Sequence, residues 1–598
     1  MDFQAFYEGR AFDAYEYLGA HPQLDGGVVF RVYAPNAHGV SLIGEFNGWH
    51  EAPMNRTENA GFFELRISEA LTGQMYKYVI YGQNGRTEHC DPYGFGMELR
   101  PASASIIRNI YDYNFRDAAW MQRRSRCFVA PLSIYEIHLG SFRRHEGFEP
   151  KSWYRYSEIA DELIDYLRKY NFTHVEFMPL AEHPFDGSWG YQQTGFFAPT
   201  SRYGEARELM ELVDRLHQAG FGAILDFVPA HFATDGYALS RFDGTDFYEY
   251  PNGEGLGNGW GTQNFNFSRG EVASFMQSAA AYWLEMYHFD GLRMDAISQM
   301  VYWMGDPARG VNDKGVAFLK NLNQGLHSRF PAVMLMAEDS TAFEGCTREV
   351  EAGGLGFDYK WDLGWMHDTL EYFSMPPKER ANAQEKLTFS MHYFYKERHL
   401  LPLSHDDVVH GKRSIMDRFY GSYAEKFRQA RAFYLYMLVH PGKKLNFMGN
   451  ELAMLREWDE RRELDEYLLK YPRHAAFSRF FTRLGEVYQA FLPLFEMDYS
   501  PKGFRWIAMG EDGGCVFGIQ RVAIGRAASL LALFNFSDEE RRYRLRSERE
   551  VRLVTELNTD WATFGGSTTE AWMEHVANAG EGLAITLPAY SGMLLSAR

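Results

Sequence analysis

The chain has 598 residues, well past the roughly 250 to 300 at which a single hydrophobic core usually stops growing, so several domains are expected. The 46% hydrophobic and 23% charged fractions are those of a folded soluble protein, and the high aromatic share, 16%, is read first as core. A formal net charge of -18 argues against nucleic acid or an anionic membrane as the main partner, because either requires a clustered basic surface.

The start, MDFQAFYEGRAFDAYEY, carries acids where a secretory signal needs a basic stretch and an apolar run, and no later segment has 18 consecutive apolar residues. A cytoplasmic location without a membrane span is therefore expected. Residues 28 to 113 read as short alternating runs broken by turn residues: VVFRVYAP, VSLIGEFNGW, FFELRI and MYKYVIYG, then Asp91-Pro92. This predicts a β-sandwich over 1–113. The four cysteines, Cys90, Cys127, Cys346 and Cys515, are scattered without a Cys-x-x-Cys pair, so reduced, buried thiols are expected rather than a zinc site or a disulfide framework.

From about residue 130 the pattern changes to short apolar β-rich runs alternating with helix-like segments such as EIADELIDYLRKY and ARELMELVDRLHQAG. Eight candidate strands can be counted: SIYEIHL, HVEFMPL, GAILDFV, GLRMDAI, VMLMAED, GFDYKWD, LLPLSHD and KLNFMGN. Eight such strands predict a closed (β/α)8 TIM barrel, placed at 114–495. The longest irregular stretch, about 232–270, follows the third strand, and its glycines in NGEGLGNGWG lack the strand-to-helix setting of a phosphate loop, so it is read as a mobile lid or subsite loop. Short strands return over 496–598, including FRWIAM, CVFGIQR and SLLALFNF, which predicts a C-terminal β-sandwich. The fold class is thus multidomain α/β, with a central barrel between two all-β domains.

In a barrel of this kind the active site lies at the C-terminal ends of the strands. Strand three ends in Asp226, with His231 five residues on; strand four carries Arg293 and Asp295; strand five ends in Glu338-Asp339; strand seven ends in His405-Asp406-Asp407. Carboxylates repeated at the ends of apolar runs are costly to bury unless they meet a partner or a reacting substrate. Each could be a structural ion pair, and Asp226, His231, His405 and His410 could form a metal site, although Arg293 beside Asp295 would repel a cation. Two carboxyl groups facing one pocket are also what splitting a glycosidic bond requires: one attacks the anomeric carbon and the other protonates the departing oxygen.

The segments DFVPAH (226 to 231), GLRMDA (291 to 296), AED (337 to 339) and SHD (404 to 406) resemble, in order and context, the signature regions of the α-amylase family of glycoside hydrolases and transglycosylases. The resemblance implies that Asp295 is the nucleophile, Glu338 the acid/base, and Asp406 the residue gripping the sugar in the transition state. It implies further that Asp226, His231, Arg293 and His405 line the subsite of the attacked glucose, with Arg293 orienting Asp295. YEIHLGSF (135 to 142), AEHPFDGSWGYQQTGFFAPTSRYG (181 to 204), GFDYKWDLGWMHDTLEYF (356 to 373), LPLSHDDVVHGK (401 to 412) and FMGNELA (447 to 453) look like the glycogen branching enzymes within that family. Tyr191 then matches the aromatic platform beneath the attacked sugar. FRVYAPNAHGVSLIGEFNGW and DPYGF resemble the family's carbohydrate-binding sandwich, where Trp49 is read as structural before it is read as a sugar contact. An extra N-terminal module of some relatives is expected to be absent.

Three departures from the motifs stand out: Asp407 where Glu is usual, AEDS for AEES, and DFVPAH for DWVPGH. None removes a catalytic carboxylate, so an effect on acceptor handling or chain-length preference is expected. The resemblance implies transfer of an α-1,4-glucan segment to a glucose 6-hydroxyl, forming α-1,6 branches in a glycogen-like polymer; no cofactor and a monomer or weak oligomer are expected, and the lack of an oxygen-rich ligand loop predicts no metal. The alternatives are a hydrolase of the same superfamily, debranching or trehalose-releasing, and a non-catalytic glucan-binding protein.

Overall fold

A computed structural model describes residues 1–251, 259–526, 528–571 and 573–597. The alternating runs near the start pair into two sheets. One joins Gly19–Pro22, Val28–Tyr33, Phe62–Ile67 and Asn55–Arg56; the other joins Ala52–Pro53, Gly39–Gly44, Met75–Gly82 and Gly85–His89. Phe30 of the first sheet and Tyr76 of the second meet edge to face at 5.0 Å, both fully buried. The buried Tyr76 hydroxyl donates to Asp91 at 2.7 Å, which spares it the cost of an unmade hydrogen bond. Trp49, read as structural before it is read as a sugar contact, is 43% exposed and left-handed at φ 61°.

All eight strands read from the sequence are present, and they close into one barrel: β1 (Ser133–Ile137), β2 (His174–Phe177), β3 (Gly222–Phe227), β4 (Gly291–Met294), β5 (Met334–Ala337), β6 (Tyr359–Trp361), β7 (His399–Leu403) and β8 (Lys443–Phe447). Pairing is parallel from β3 to β4 to β5, from β6 to β7 to β8, and from β8 to β1. Every residue of β3, β7 and β8 is buried, as parallel strands covered on both faces require. The helix Ala206–Ala219 that feeds β3 buries Leu209, Leu212, Val213 and Leu216 at helical spacing and ends at Gly220, whose φ of 91° a side chain would resist.

The chain forms two compact units: one of Met1–Arg126, His138–Leu163 and Glu176–Asp358, the other of Cys127–Ile137, Ile164–Val175 and Tyr359–Arg598. The first holds β3, β4 and β5. In it, the stretch expected to be irregular over 232–270 is partly ordered: His231–Ala233 pairs antiparallel with Thr262–Asn264, and Phe232, Phe242, Phe247 and Tyr248 are buried. Most of the glycine run NGEGLGNGWG, residues 252–258, lies outside the described residues. The second unit carries a six-stranded antiparallel sheet, Phe504–Gly510 through Glu574–Ala577, and a two-stranded sheet of Arg541–Leu545 with Leu583–Leu587. A core including Leu531, Leu533, Tyr543, Leu553, Ile585 and Leu595 joins them. Cys90, Cys346 and Cys515 are buried and Cys127 is half-buried; all four are free thiols. Among the described residues no helix is long and apolar enough to cross a membrane.

A buried ionic cluster ties the N-terminal ends of the two strands that carry the site. Asp290, just before β4, accepts from the Ala223 amide of β3 at 2.8 Å, and the Asp290 amide donates back to the Ala223 carbonyl at 2.7 Å. His217 bridges Asp117, 2.8 Å from Nδ1, and Asp290, 3.0 Å from Nε2. Burial alone would depress the His217 pKa, but Asp290 and Asp117 together raise it to about 9. The folded pKa therefore lies above the ordinary value of about 6.5, so the stabilisation is complete below that pH and disappears as pH rises toward 9. The difference corresponds to on the order of 3 kcal/mol. In thermal melts, the stability advantage of the unaltered chain over His217→Gln should be large at pH 6 and shrink at pH above 9; an advantage independent of pH would contradict the charged bridge.

Candidate active site

Register places the charged residues of β3 and β4 side by side. Asp226 and Arg293 are direct partners in the parallel ladder, so both side chains leave the sheet on the same face. Asp295 and Glu338 each sit one rung past their strands: the Asp295 amide donates to the Phe227 carbonyl at 2.9 Å, and the Glu338 amide to the Met294 carbonyl at 3.1 Å. The ladder thus extends just far enough to hold both carboxylates at the strand ends.

Arg293 is completely buried and organises the group. Its Nη1 donates to Asp226 Oδ1 and Oδ2 at 2.8 and 2.9 Å and to Asp295 Oδ1 at 2.7 Å, while Nη2 lies 4.0 Å from Glu338 Oε2. The Tyr191 hydroxyl donates to Asp226 Oδ2 at 2.5 Å. Burial pushes the Asp226 carboxyl above its usual range; Arg293 opposes that, the Asp295 charge adds to it, and the Tyr191 hydroxyl opposes it. Encirclement by carboxylates overcomes burial at Arg293 and holds its pKa well above the ordinary value. Asp226 and Arg293 are each about 1% exposed, whereas the Asp295 and Glu338 side chains are 14% and 17% exposed. Two carboxylates are therefore open to a substrate and one is sealed behind them.

His231 completes this side. Its Nε2 lies 3.9 Å from Asp295 Oδ2, its Nδ1 is buried without a hydrogen-bond partner among the described residues, and burial depresses its pKa despite Asp295. Trp260 covers it, with ring centroids 5.2 Å apart. Ala296 is left-handed at φ 46°, a conformation that costs a residue with a Cβ roughly 1–2 kcal/mol. That turn aims the Ala296 amide at Glu338 Oε2, 2.7 Å away. Strain beside Asp295 thus buys a fixed orientation for Glu338.

His405 and Asp406 stand in the second unit, in the turn that follows β7. Glu136 of β1 holds His405 twice: Oε2 accepts the His405 amide at 3.0 Å and Oε1 lies 2.5 Å from Nδ1. With Nδ1 engaged, Nε2 is left facing Asp406 Oδ1 at 3.4 Å. The Asp406 side chain is 54% exposed, and Lys412 Nζ pins its backbone by donating to the Asp406 carbonyl at 2.7 Å. Among the described residues, no group of three or more His, Cys, Asp or Glu side chains could hold a metal ion.

Six of the eight residues picked from the sequence therefore meet in one connected cluster, and the other two are neighbours at the end of β7. Glu136 was missed, although a lone Glu inside the apolar run SIYEI signals a buried partner.

Comparison with known proteins agrees with this architecture. The model for carbohydrate-binding module 48 (isoamylase N-terminal domain) matches residues 17–94, and the model for the alpha amylase catalytic domain matches residues 157–250. The chain is 42% identical over 577 residues to the 1,4-alpha-glucan branching enzyme GlgB of Bacillus caldolyticus, covering 95% of this chain and 86% of that protein. It is 43% identical over 581 residues to the protein of the same name from Cereibacter sphaeroides, covering 94% and 79%. The chain belongs to the 1,4-α-glucan branching enzyme family. Among solved structures, a pullulanase complexed with maltotetraose from Anoxybacillus sp. LM18-11 matches with a TM-score of 0.76 over 99% of this chain and 89% of that one, at 16% identity, a likeness of fold alone.

In this branching-enzyme chain Asp407, which departs from the motif's usual Glu, points inward. It is 1% exposed, its Oδ2 has no hydrogen-bond partner among the described residues, and burial, opposed by Lys412 and Arg418, raises its pKa to about 6. Arg418 donates to the Asp407 backbone carbonyl instead.

The Arg293 fork makes a sharp prediction. Arg293→Lys keeps one positive charge but cannot serve both carboxylates with the same geometry, so kcat/KM on amylose should fall about 100-fold or more while the near-ultraviolet circular dichroism is retained. Activity close to that of the unaltered chain, with the fold intact, would contradict the role of the fork.

Proposed function

We propose that this chain is a 1,4-α-glucan branching enzyme working by double displacement, with Asp295 as nucleophile, Glu338 as acid/base and Asp406 as the residue that steadies the sugar in the transition state. The observation that carries the reading is the single guanidinium of Arg293 within 4.0 Å of Asp226, Asp295 and Glu338, of which only the last two are open to a substrate.

In the first step an Asp295 oxygen attacks the anomeric carbon of an α-1,4-glucan. The C1–O4 bond breaks, and the Glu338 carboxyl gives its proton to O4 of the departing chain. In the second step Glu338, now a carboxylate, takes the proton of a glucose 6-hydroxyl while O6 attacks C1, the ester to Asp295 breaks, and an α-1,6 linkage forms. Two inversions leave the configuration unchanged. Tyr191 offers its ring beneath the attacked sugar, His231 and His405 line that sugar's subsite, and Asp226 braces Arg293 and Tyr191 from behind it. Glu136 engages Nδ1 of His405 and so directs Nε2 toward Asp406, which supports the role of His405.

The reading assigns residues 1–113 to a glucan-binding sandwich, 114–495 to the catalytic barrel with its 232–270 loop, and 496–598 to a C-terminal β-sandwich. It places the protein in the cytoplasm as a monomer or weak oligomer, acting on glycogen or amylose-like chains. The same carboxylates would serve hydrolysis if water replaced the 6-hydroxyl.

The test is to incubate the protein with amylose and measure α-1,6 linkages, iodine absorbance and reducing ends together. Branching predicts new α-1,6 linkages and falling iodine colour with no net gain in reducing ends; a steady rise in reducing ends without branches would overturn it. Asp295→Asn should lower the rate at least about a thousandfold with the fold kept.

A further inference from the structure

Away from the catalytic carboxylates, an open groove of about 930 Å3 lies between the six-stranded and two-stranded sheets of the second unit. That volume is at the upper end of the roughly 300–1,000 Å3 typical of small-molecule sites. Its floor is apolar: Leu531 and Leu545 belong to the shared core, and so does Tyr543, whose hydroxyl donates across to the Ile507 carbonyl at 3.1 Å. Its rim is basic. Arg505, Arg542, Arg544, Arg546 and Arg549 all line it, in a chain whose formal net charge is -18.

Strand register brings polar side chains into the groove. Arg505, Gln520 and Leu531 are successive partners across three neighbouring strands, so Arg505 and Gln520 share the face on which Leu531 meets the core. Ser529, two residues before Leu531, lies on that face as well. The inner face of a sandwich is normally apolar. Charges on a free edge strand keep other chains from pairing there, which accounts for Arg505, Arg542 and Arg544. It does not account for Gln520 and Ser529, which stand one and two strands inside the edge. Gln520 Nε2 donates to Ser529 Oγ at 3.0 Å, and the Ser529 hydroxyl keeps its own proton to give to a ligand oxygen. A bulge between Trp506 and Ala508 turns Ile507 as well as Ala508 toward the core, which shapes the groove at this edge.

The arginines are not spent on internal ion pairs. Among the described residues none of the five is paired with a carboxylate, whereas the adjacent Arg541 meets Glu539 at 3.1 Å and Asp512 at 3.8 Å. Arg544 is steadied through Nε, which donates to the Glu581 carbonyl at 3.1 Å and leaves its other N–H groups for a ligand. Glu511 and Asp512 also line the groove, so five cations face two carboxylates, one of which Arg541 already answers. Like charges gathered on one rim repel one another until an anion joins them. A neutral glucan supplies no such charge, and a single carboxylate offers two oxygens to one guanidinium. A phosphate ester offers three oxygens and nearly two charges, enough to engage several guanidiniums at once.

We propose that this groove binds an organic phosphate, with the phosphate oxygens on Arg505, Arg542, Arg544 and Arg546 and the uncharged part of the molecule on the floor of Leu531 and Leu545. Nucleotides and sugar phosphates share that chemistry. The test titrates the full chain by calorimetry at low ionic strength, where exposed charges are least screened, with adenosine diphosphate, glucose 6-phosphate, inorganic phosphate, adenosine and glucose. At least one of the two organic phosphates should bind once per chain, about tenfold or more tighter than inorganic phosphate and than its own unphosphorylated form. Which of them binds more tightly separates a nucleotide from a sugar phosphate. Arg505→Gln combined with Arg544→Gln should weaken that binding about 100-fold, tenfold for each charge-assisted contact removed, with the near-ultraviolet circular dichroism retained. Arg542→Gln combined with Arg546→Gln should do the same, and keeps the test open if the first pair disturbs the fold. Three results would overturn the proposal: no saturable binding of either organic phosphate, binding that both double variants leave unchanged, or equal affinity for inorganic phosphate. None of them bears on the chemistry at Asp295.

Discussion

The structure of the site depends on one buried guanidinium. Arg293 is sealed from water, and a charge in that position is tolerable only where it is paired with opposite charge and hydrogen-bonded. Asp226 takes two of its hydrogen bonds and Asp295 a third, with Glu338 at the edge of reach. Asp226 answers the charge from the interior, and Asp295 answers it from the open side. The oxygen of Asp295 that is not bound to Arg293 is the one that faces His231, and it is free to act.

Backbone geometry makes this arrangement possible. Parallel pairing sets Asp226 beside Arg293, and the next rungs carry Asp295 and Glu338 past the strand ends. Behind them, Asp290 binds the start of β3 to the residue before β4, and His217 neutralises it from within. The N-terminal ends of the two strands are therefore locked by one set of charges and the C-terminal ends by another. In the second unit the same logic recurs on a smaller scale: Glu136, buried in β1, fixes the ring of His405.

Much of this was legible in the residues. The barrel strands showed as apolar runs because strands covered on both faces have no polar side to display, and the carboxylates at their ends stood out against that background. Asp226, Arg293, Asp295 and Glu338 were visible for this reason. Features made by distant residues were not. In the cluster of Asp117, His217 and Asp290, His217 stands 100 residues from one carboxylate and 73 from the other, and nothing local marks its members as partners. The hairpin of His231–Ala233 with Thr262–Asn264 joins three-residue strands too short for a period to show.

The central claim is that Asp295 forms a covalent ester with the glycosyl unit being moved. Its most direct test uses Glu338→Gln, which cannot activate the second nucleophile, with an α-maltosyl fluoride, whose fluoride departs without needing a proton. Mass spectrometry of the digested protein should find one maltosyl unit on the peptide containing Asp295. A maltosyl unit on another carboxylate, or fluoride release with no adduct even at the earliest times, would contradict the account.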